Sequence, residues 1–274
     1  MTGSNVEDNA DDSGADFTDA LYGGAKLITR ADDHQPGAKW EFNDDVAAKF
    51  DNMLSRSIPH YGAMRELTYR LGSKFIESPS TVVDFGASRG EASAAFIKNL
   101  PHNDYTMTEV SAPMMDVMTE RFKEFPNVSV LNYDLRQPYS EIARLVHNPN
   151  EVADPKPTRL VLSILTLIFI PINFRQSIIQ GIYNGMADDG AFLFVEKVLG
   201  NSALMQELLV DAYHEYKFDH GYSWEDIERK RASLEGVQVP IRHEDNISML
   251  RSAGFRHVET YYRSMNFCGY IAIK

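Results

Sequence analysis

Residues 81–91, T-V-V-D-F-G-A-S-R-G-E, limit the folds open to this chain more than any other stretch. Val82 and Val83 are β-branched, and Asp84, Gly86, Ser88 and Gly90 follow at once, so a short buried strand runs into a tight loop of small residues. Residues 92–100 then alternate small and apolar side chains at helical spacing. A strand, a glycine turn and a helix within about twenty residues open a βαβ nucleotide-binding unit. Gly86 and Gly90 lack a Cβ, so the chain turns sharply and a ligand can approach the main chain, while the helix start offers unpaired N–H groups.

The dinucleotide fingerprint needs G-x-G-x-x-G, but this loop reads D-x-G-x-x-x-G with Ser88 where a middle glycine would sit, which fits a pyrophosphate poorly. Glu109 lies 19 residues past Gly90, at the end of an apolar-polar run over 105–110, near the spacing at which a carboxylate takes both ribose hydroxyls. An acid there without a phosphate cradle points to an adenosine compound lacking phosphates, with S-adenosylmethionine the obvious candidate. The bland alternative is an ordinary turn and a solvated glutamate.

At 274 residues with 43% apolar side chains, the chain can bury a substantial core. Its most apolar run, 160–172, carries Ser163, Thr166 and Pro171 and is too short for a bilayer, so no membrane association is expected. Acids stand where a signal peptide needs basic and apolar segments, and the one cysteine, Cys268, permits no internal disulfide; both fit a cytoplasmic protein. Residues 1–38 hold eight acids against Lys26 and Arg30, half of the formal charge of −12, and read as a disordered acidic tail. No Lys/Arg run is available to neutralise phosphates, which argues against nucleic acid as a substrate.

From residue 39 onward the pattern is that of one α/β domain. Phe42, Val46, Phe50, Met53 and Leu54 mark an amphipathic helix capped by Asn43 and broken by Pro59, and a second helix spans 62–76. Strands are predicted at 105–110, 128–133, 160–166 and 191–198, with helices at 113–125 and 174–186, which argues for a parallel sheet covered on both faces. The rhythm lapses over 199–242, where two helices (202–217 and 223–234) form an insertion capping one end of the sheet. A helix at 245–252 and two closing strands, 257–263 and 266–273, complete the chain. His214 and His220 lack a metal-binding spacing and read as solvated helix residues, so no metal is expected.

Several blocks of the chain, between about 42 and 274, resemble the carboxy-S-adenosyl-L-methionine synthases. These are F-N-D-D-V-A-A-K-F-D-N-M from Phe42, R-S-I-P-H-Y at 56–61, D-F-G-A-S-R-G at 84–90, G-Y-S at 221–223, K-R-A-S-L-E-G-V at 230–237, A-G-F at 253–255 and N-F at 266–267. The resemblance implies the class I methyltransferase fold: a Rossmann-like seven-stranded sheet with helices on both faces, an N-terminal lid helix and a helical insertion before the last two strands. It implies cofactor contacts at Tyr61, Gly86, Ala87, Ser88, Glu109, Val110, Asp134 and Leu135. Arg231 would hold a carboxylate attached to the sulfonium methyl, with Tyr61 beside it, and the protein would be a homodimer. Physical reasons run alongside: Asp134 can accept from the adenine amino group, Tyr61 can face the sulfonium cation, and Arg231 is a planar, permanently charged fork suited to a carboxylate. Without the resemblance, Arg231 beside Lys230 reads as a solvated helix arginine.

The implied reaction takes prephenate and S-adenosylmethionine to a carboxymethyl sulfonium and phenylpyruvate, the decarboxylating acid supplying both carbon dioxide and base. The chain departs from the family after its fourth strand, where Ser163 or Ile164 replaces an asparagine, and at Glu109-Val110, which replaces Asp-Asn. These changes keep two other chemistries open, methyl transfer to a small acceptor and cyclisation releasing methylthioadenosine. A noncatalytic adenosylmethionine-binding module is the non-enzyme alternative. In the enzyme readings, 42–53 and the insertion around Arg231 close over the cofactor and exclude water.

Overall fold

The computed structural model describes residues 34, 36, 37 and 39–274, so the expected acidic tail lies almost wholly outside the described residues. Two helices come first, α1 (Asp44–Ser57) and α2 (Tyr61–Gly72). Asn43 accepts from the N–H of Val46 at 3.1 Å, the cap expected from the sequence. The alternating body follows: β1 (Thr81–Phe85), α3 (Glu91–Asn99), β2 (Asp104–Glu109), α4 (Ala112–Phe122), β3 (Val128–Asn132), α5 (Tyr139–His147), β4 (Thr158–Ile164), a 3-10 turn (Leu167–Phe169), α6 (Ile172–Gly185) and β5 (Ala191–Leu199). Helices α7 (Ala203–Asp219) and α8 (Trp224–Leu234) form the insertion. Then come β6 (Ile241–Arg242), α9 (His243–Ala253), β7 (His257–Ser264) and β8 (Phe267–Ile273).

The sheet runs β3-β2-β1-β4-β5-β8-β7, parallel through β5, with β8 antiparallel to β5 and β7 antiparallel to β8. Strand order reverses between β1 and β4, the place where open α/β sheets bind ligands beyond their carboxyl ends. Alternation along each strand sorts side chains to two cores. Val83, Phe85, Val161, Phe192 and Phe194 pack with Ile142, Ile178, Ile182 and Leu250 on one face; Val82, Leu160, Leu162 and Leu193 meet Phe96, Ile97 and Met118 on the other.

Helix α5 and strand β6, like the 3-10 turn, go beyond the sequence reading. Helix α5 carries Ile142, Leu145 and Val146 on its buried side, a helical spacing compressed into nine residues behind Pro138. Strand β6 is two residues long and exists because Val198 and Leu199 of β5 pair with Ile241 and Arg242. A two-residue strand has no periodicity to read. It is defined by its partner alone.

Candidate active site

The carboxyl ends of β1, β4 and β5 open into a cavity of about 670 Å³ roofed by α1, α7 and α8. The amphipathic face of α1 supplies Phe50, Met53, Leu54 and Ser57 to the wall, and α8 supplies Ile227, Lys230, Arg231 and Leu234. Main-chain atoms stitch the roof together. Trp40 N–H donates to Ser233 O at 3.0 Å, Lys39 Nζ to Glu235 O at 2.7 Å, and Arg56 Nη1 to His220 O at 2.8 Å. Trp40 is buried against the cavity, Lys230 lies 5.0 Å from its ring centre, and its indole N–H meets no acceptor among the described residues.

The loop after β1 forms the floor. Gly86 (φ +62°), Ser88 (φ +52°) and Gly90 (φ +78°) all take left-handed conformations, so the expected sharp turn is present. The packing reason differs from a ligand's close approach. A Cβ on Gly86 would lie 2.3 Å from Thr166 Cγ2, and one on Gly90 would lie 2.4 Å from Phe122 Cε2. Thr166 Oγ1 in turn donates to Phe85 O at 2.9 Å, tying the ends of β4 and β1 together.

Asp84, at the edge of this floor, is the acid that the sequence reading left without a role. It is buried and lines the cavity; Ser93 Oγ donates to Oδ2 at 2.8 Å, and Oδ1 has no hydrogen-bond partner among the described residues. Burial pushes its carboxyl up to about 6, against the pull of the Ser93 bond and Arg65. Arg65 also lines the cavity, one helical turn beyond Tyr61, with its guanidinium 5.8 Å from the Tyr61 ring centre. Burial raises the Tyr61 phenol as well, so its ring and neutral hydroxyl face the cavity. An acid with a bare oxygen beside a buried guanidinium suits an α-ammonium and α-carboxylate pair, the end group of a free amino acid.

Glu109 ends β2 and is buried at 9% exposure. Its Oε2 accepts from Ser88 N–H at 2.9 Å, and Oε1 from Val110 and Ser111 N–H at 2.8 and 3.0 Å. Three of a carboxylate's roughly four acceptor positions are thereby used, which fixes its orientation and leaves about one for a ribose hydroxyl. Val110 is 59% exposed beside it. Asp134, after β3, binds Arg136 through Nε at 2.9 and 3.0 Å, and Leu135 is buried in the core, so neither borders the cavity. Ile164 lines the cavity, whereas Ser163 is fully buried outside it with its hydroxyl unpartnered. The cavity thus brings Tyr61, Gly86, Ala87, Ser88, Ile164 and Arg231 together, with Glu109 gripping its floor from behind.

Arg231 pairs with Glu228 at 2.9 Å and remains largely exposed at the cavity rim. Deeper in stand cations the sequence reading missed. Lys197 of β5 lies 4.5 Å from the Tyr213 ring centre, and Lys217 of α7 lies 5.7 Å from the same ring and 5.1 Å from that of Tyr222. Burial and Lys217 bring the Lys197 ammonium down to about 8. His214, expected to be a solvated helix residue, lines the cavity as well, and burial lowers its pKa. His220 instead closes α7, its Nδ1 2.7 Å from Tyr216 O. Two charged residues, Glu196 and Lys197, inside an otherwise apolar strand were the available signal. Among the described residues, no group of three His, Cys, Asp or Glu side chains is arranged as a metal site, and no helix is long and apolar enough to cross a membrane.

No protein-family model matches the chain. It is similar to the carboxy-S-adenosyl-L-methionine synthase of Methylococcus capsulatus, with 32% identity covering 85% of this chain and 93% of that one. The enzyme of the same name from Sulfurimonas denitrificans is 30% identical, covering 91% and 99%. The chain belongs to the carboxy-S-adenosyl-L-methionine synthase family. With that family it falls among the S-adenosylmethionine-dependent transferases of the methyltransferase superfamily. The fold agrees: an O-methyltransferase family protein from Burkholderia thailandensis superposes with a TM-score of 0.57 at 13% identity, covering 85% of this chain and 60% of that one. Human N-acetylserotonin methyltransferase, solved with SAM, gives 0.53 at 13%, covering 85% and 56%. This chain therefore spans a little over half the length of those solved proteins.

Proposed function

We propose that the protein carboxylates the sulfonium methyl of S-adenosylmethionine, using a small carboxylic acid such as prephenate as the source of carbon dioxide. One observation carries this reading: Arg231 of α8 lines the same cavity as Tyr61 and the 86–88 loop. Methyl transfer to an acceptor or cyclisation would gain nothing from a permanent cation there, whereas a carboxymethyl sulfonium carries an anion for it to hold.

In this proposal the adenosine lies across the ends of β2 and β3, with Glu109 on the ribose and Val110 and Leu135 flanking the base. Asp134 exchanges part of its bond to Arg136 for the adenine amino group. Gly86, Ala87, Ser88 and Ile164 border the methionyl chain, Ser163 buttresses Ile164 from within β4, and Asp84 and Arg65 take the ammonium and carboxylate. The ring–carboxylate bond of prephenate breaks to release carbon dioxide, and the ring aromatises as its hydroxyl leaves. That hydroxide takes a proton from the sulfonium methyl and becomes water. The methyl carbon then forms one C–C bond to carbon dioxide, giving the carboxymethyl sulfonium and phenylpyruvate. Tyr61 faces the sulfonium, Arg231 holds the new carboxylate, and the closed roof of α1 and α8 keeps water from the carbanion.

Mass spectrometry of wild-type protein incubated with adenosylmethionine and prephenate tests the reading. The expected product is adenosylmethionine plus the mass of carbon dioxide, reduced at least a hundredfold in Arg231→Ala, consistent with losing a charge-assisted contact made only late in the reaction. Adenosylhomocysteine or methylthioadenosine as the main product, or undiminished carboxylation in Arg231→Ala, sinks it. We further propose a cytoplasmic homodimer in which residues 39–274 act as one unit and 199–242 as its cap. Leu204, Leu208 and Trp224, each at least 50% exposed on α7 and α8, support a self-contact there, and light scattering of the purified protein measures it.

A further inference from the structure

The cavity's cations form a row interleaved with aromatic rings. Lys197 lies 4.5 Å from the Tyr213 ring, Tyr213 is 5.7 Å from Lys217, and Lys217 is 5.1 Å from the Tyr222 ring. Tyr222 is then 5.6 Å from Lys230, whose ammonium is 5.0 Å from the Trp40 ring, and Arg231 follows in sequence. The row runs from Lys197 at the end of β5 to Lys230 of α8, and Arg231, the next residue, lines the same cavity. Among the described residues, no carboxylate forms an ion pair with Lys197.

Lys197 lines the cavity with no carboxylate paired to it among the described residues, and the amino-acid end of adenosylmethionine does not supply an anion there. Its carboxylate shares a carbon with the ammonium that Asp84 would accept, which places it beside Arg65 at the end of β1 rather than at the end of β5. Arg231 already serves the carboxylate formed at the methyl. One cationic end remains without an anion to recognise.

We propose that Lys197 binds the carboxylate that the second substrate keeps through the reaction, so that the cavity favours an acid carrying a carboxylate besides the one it loses. The inference rests on the carboxylation reading and assigns the residue that holds its second substrate. It treats Lys197 as a binding residue whose loss is felt equally by substrate and acid product, because both carry the retained carboxylate. A Lys197 serving the departing carboxylate would affect the substrate alone.

Calorimetry on protein loaded with adenosylhomocysteine tests this, with prephenate and phenylpyruvate as probes. In Lys197→Met both affinities are expected to fall tenfold or more and by similar factors. Lys197→Arg should recover most of the loss, and adenosylmethionine affinity should stay within about twofold of wild type, the spread of a site left structurally intact. Unchanged phenylpyruvate affinity in Lys197→Met overturns the proposal, and so does a loss confined to adenosylmethionine. Should Lys197→Met fail to fold, wild-type protein decides: phenylpyruvate binding tenfold or more tighter than its methyl ester supports the subsite, and equal binding overturns it. The two readings fail separately. Absence of carboxylated product from wild type overturns the proposed reaction, while the calorimetric comparison still judges the anion subsite.

Discussion

Asp84 shows how one buried atom ties stability to ligand binding. Its carboxyl is held up to about 6 by burial, with Ser93 and Arg65 pulling it down and Glu109 pushing it further up. Between the ordinary value of 3.8 and about 6 the folded chain keeps a proton that the unfolded chain has lost, so this residue makes the protein less stable as pH rises through that window. Adenosylmethionine acts in the opposite sense, because its ammonium favours the ionised acid. Its affinity, measured by calorimetry from pH 5 to 8, is expected to weaken as pH drops below about 6. In Asp84→Asn that dependence should flatten and binding should weaken tenfold or more, while the ligand-free protein melts higher at pH 8; an unchanged pH slope in the variant would refute the assignment. The sequence displays Asp84 plainly at the end of an apolar strand. Its bare oxygen does not follow from the strand, because that depends on α2 bringing Arg65 alongside and α3 bringing Ser93. Lys197 is similar: a lysine in an apolar strand is visible in the sequence, but the Tyr213 ring beside it comes from α7.

At the scale of elements, the strand, turn and helix around 81–99 were readable because their signals are local: β-branched residues, glycines at the turn and small residues at helical spacing. The cap helices were readable for the same reason, Ser202 and Ser223 each accepting from the first turn they precede. What the turn packs against was not readable. Thr166 lies eighty residues from Gly86, yet a Cβ on Gly86 would be 2.3 Å from it in a backbone conformation with φ +62°. Gly86→Ala is therefore expected to destabilise the protein by roughly 1–3 kcal/mol, as strained turn substitutions do, and to weaken adenosylmethionine binding at least tenfold. Adding Thr166→Ala should return part of the stability by removing the clash, while the backbone strain remains. If the two changes are strictly additive in urea denaturation, the close approach is not what constrains Gly86.

For the molecule as a whole, the parallel order of the sheet could be anticipated from alternating strands and helices, because few topologies satisfy short right-handed crossovers. The enclosure could not, since it depends on residues distant in sequence meeting above the sheet. Arg175 illustrates this: it is buried, donating to Ile170 O at 2.9 Å and Val239 O at 2.7 Å, so it fastens the 3-10 turn that carries Phe169 to the cavity wall. If α1 and α8 form a closure over the ligand, their amides should exchange with deuterium at least tenfold more slowly once adenosylmethionine is bound, while those of β1, β4 and β5 change little. Equal slowing throughout would indicate general stabilisation by mass action instead.

The bond from Trp40 N–H to Ser233 O joins two stretches of main chain, so nearly any pair of side chains at those positions leaves it intact. Only proline at 40 abolishes it outright. Drift in the amino-acid alphabet can therefore rewrite this region without loosening its seam, and relatives that look dissimilar in their opening residues can still shut in the same way.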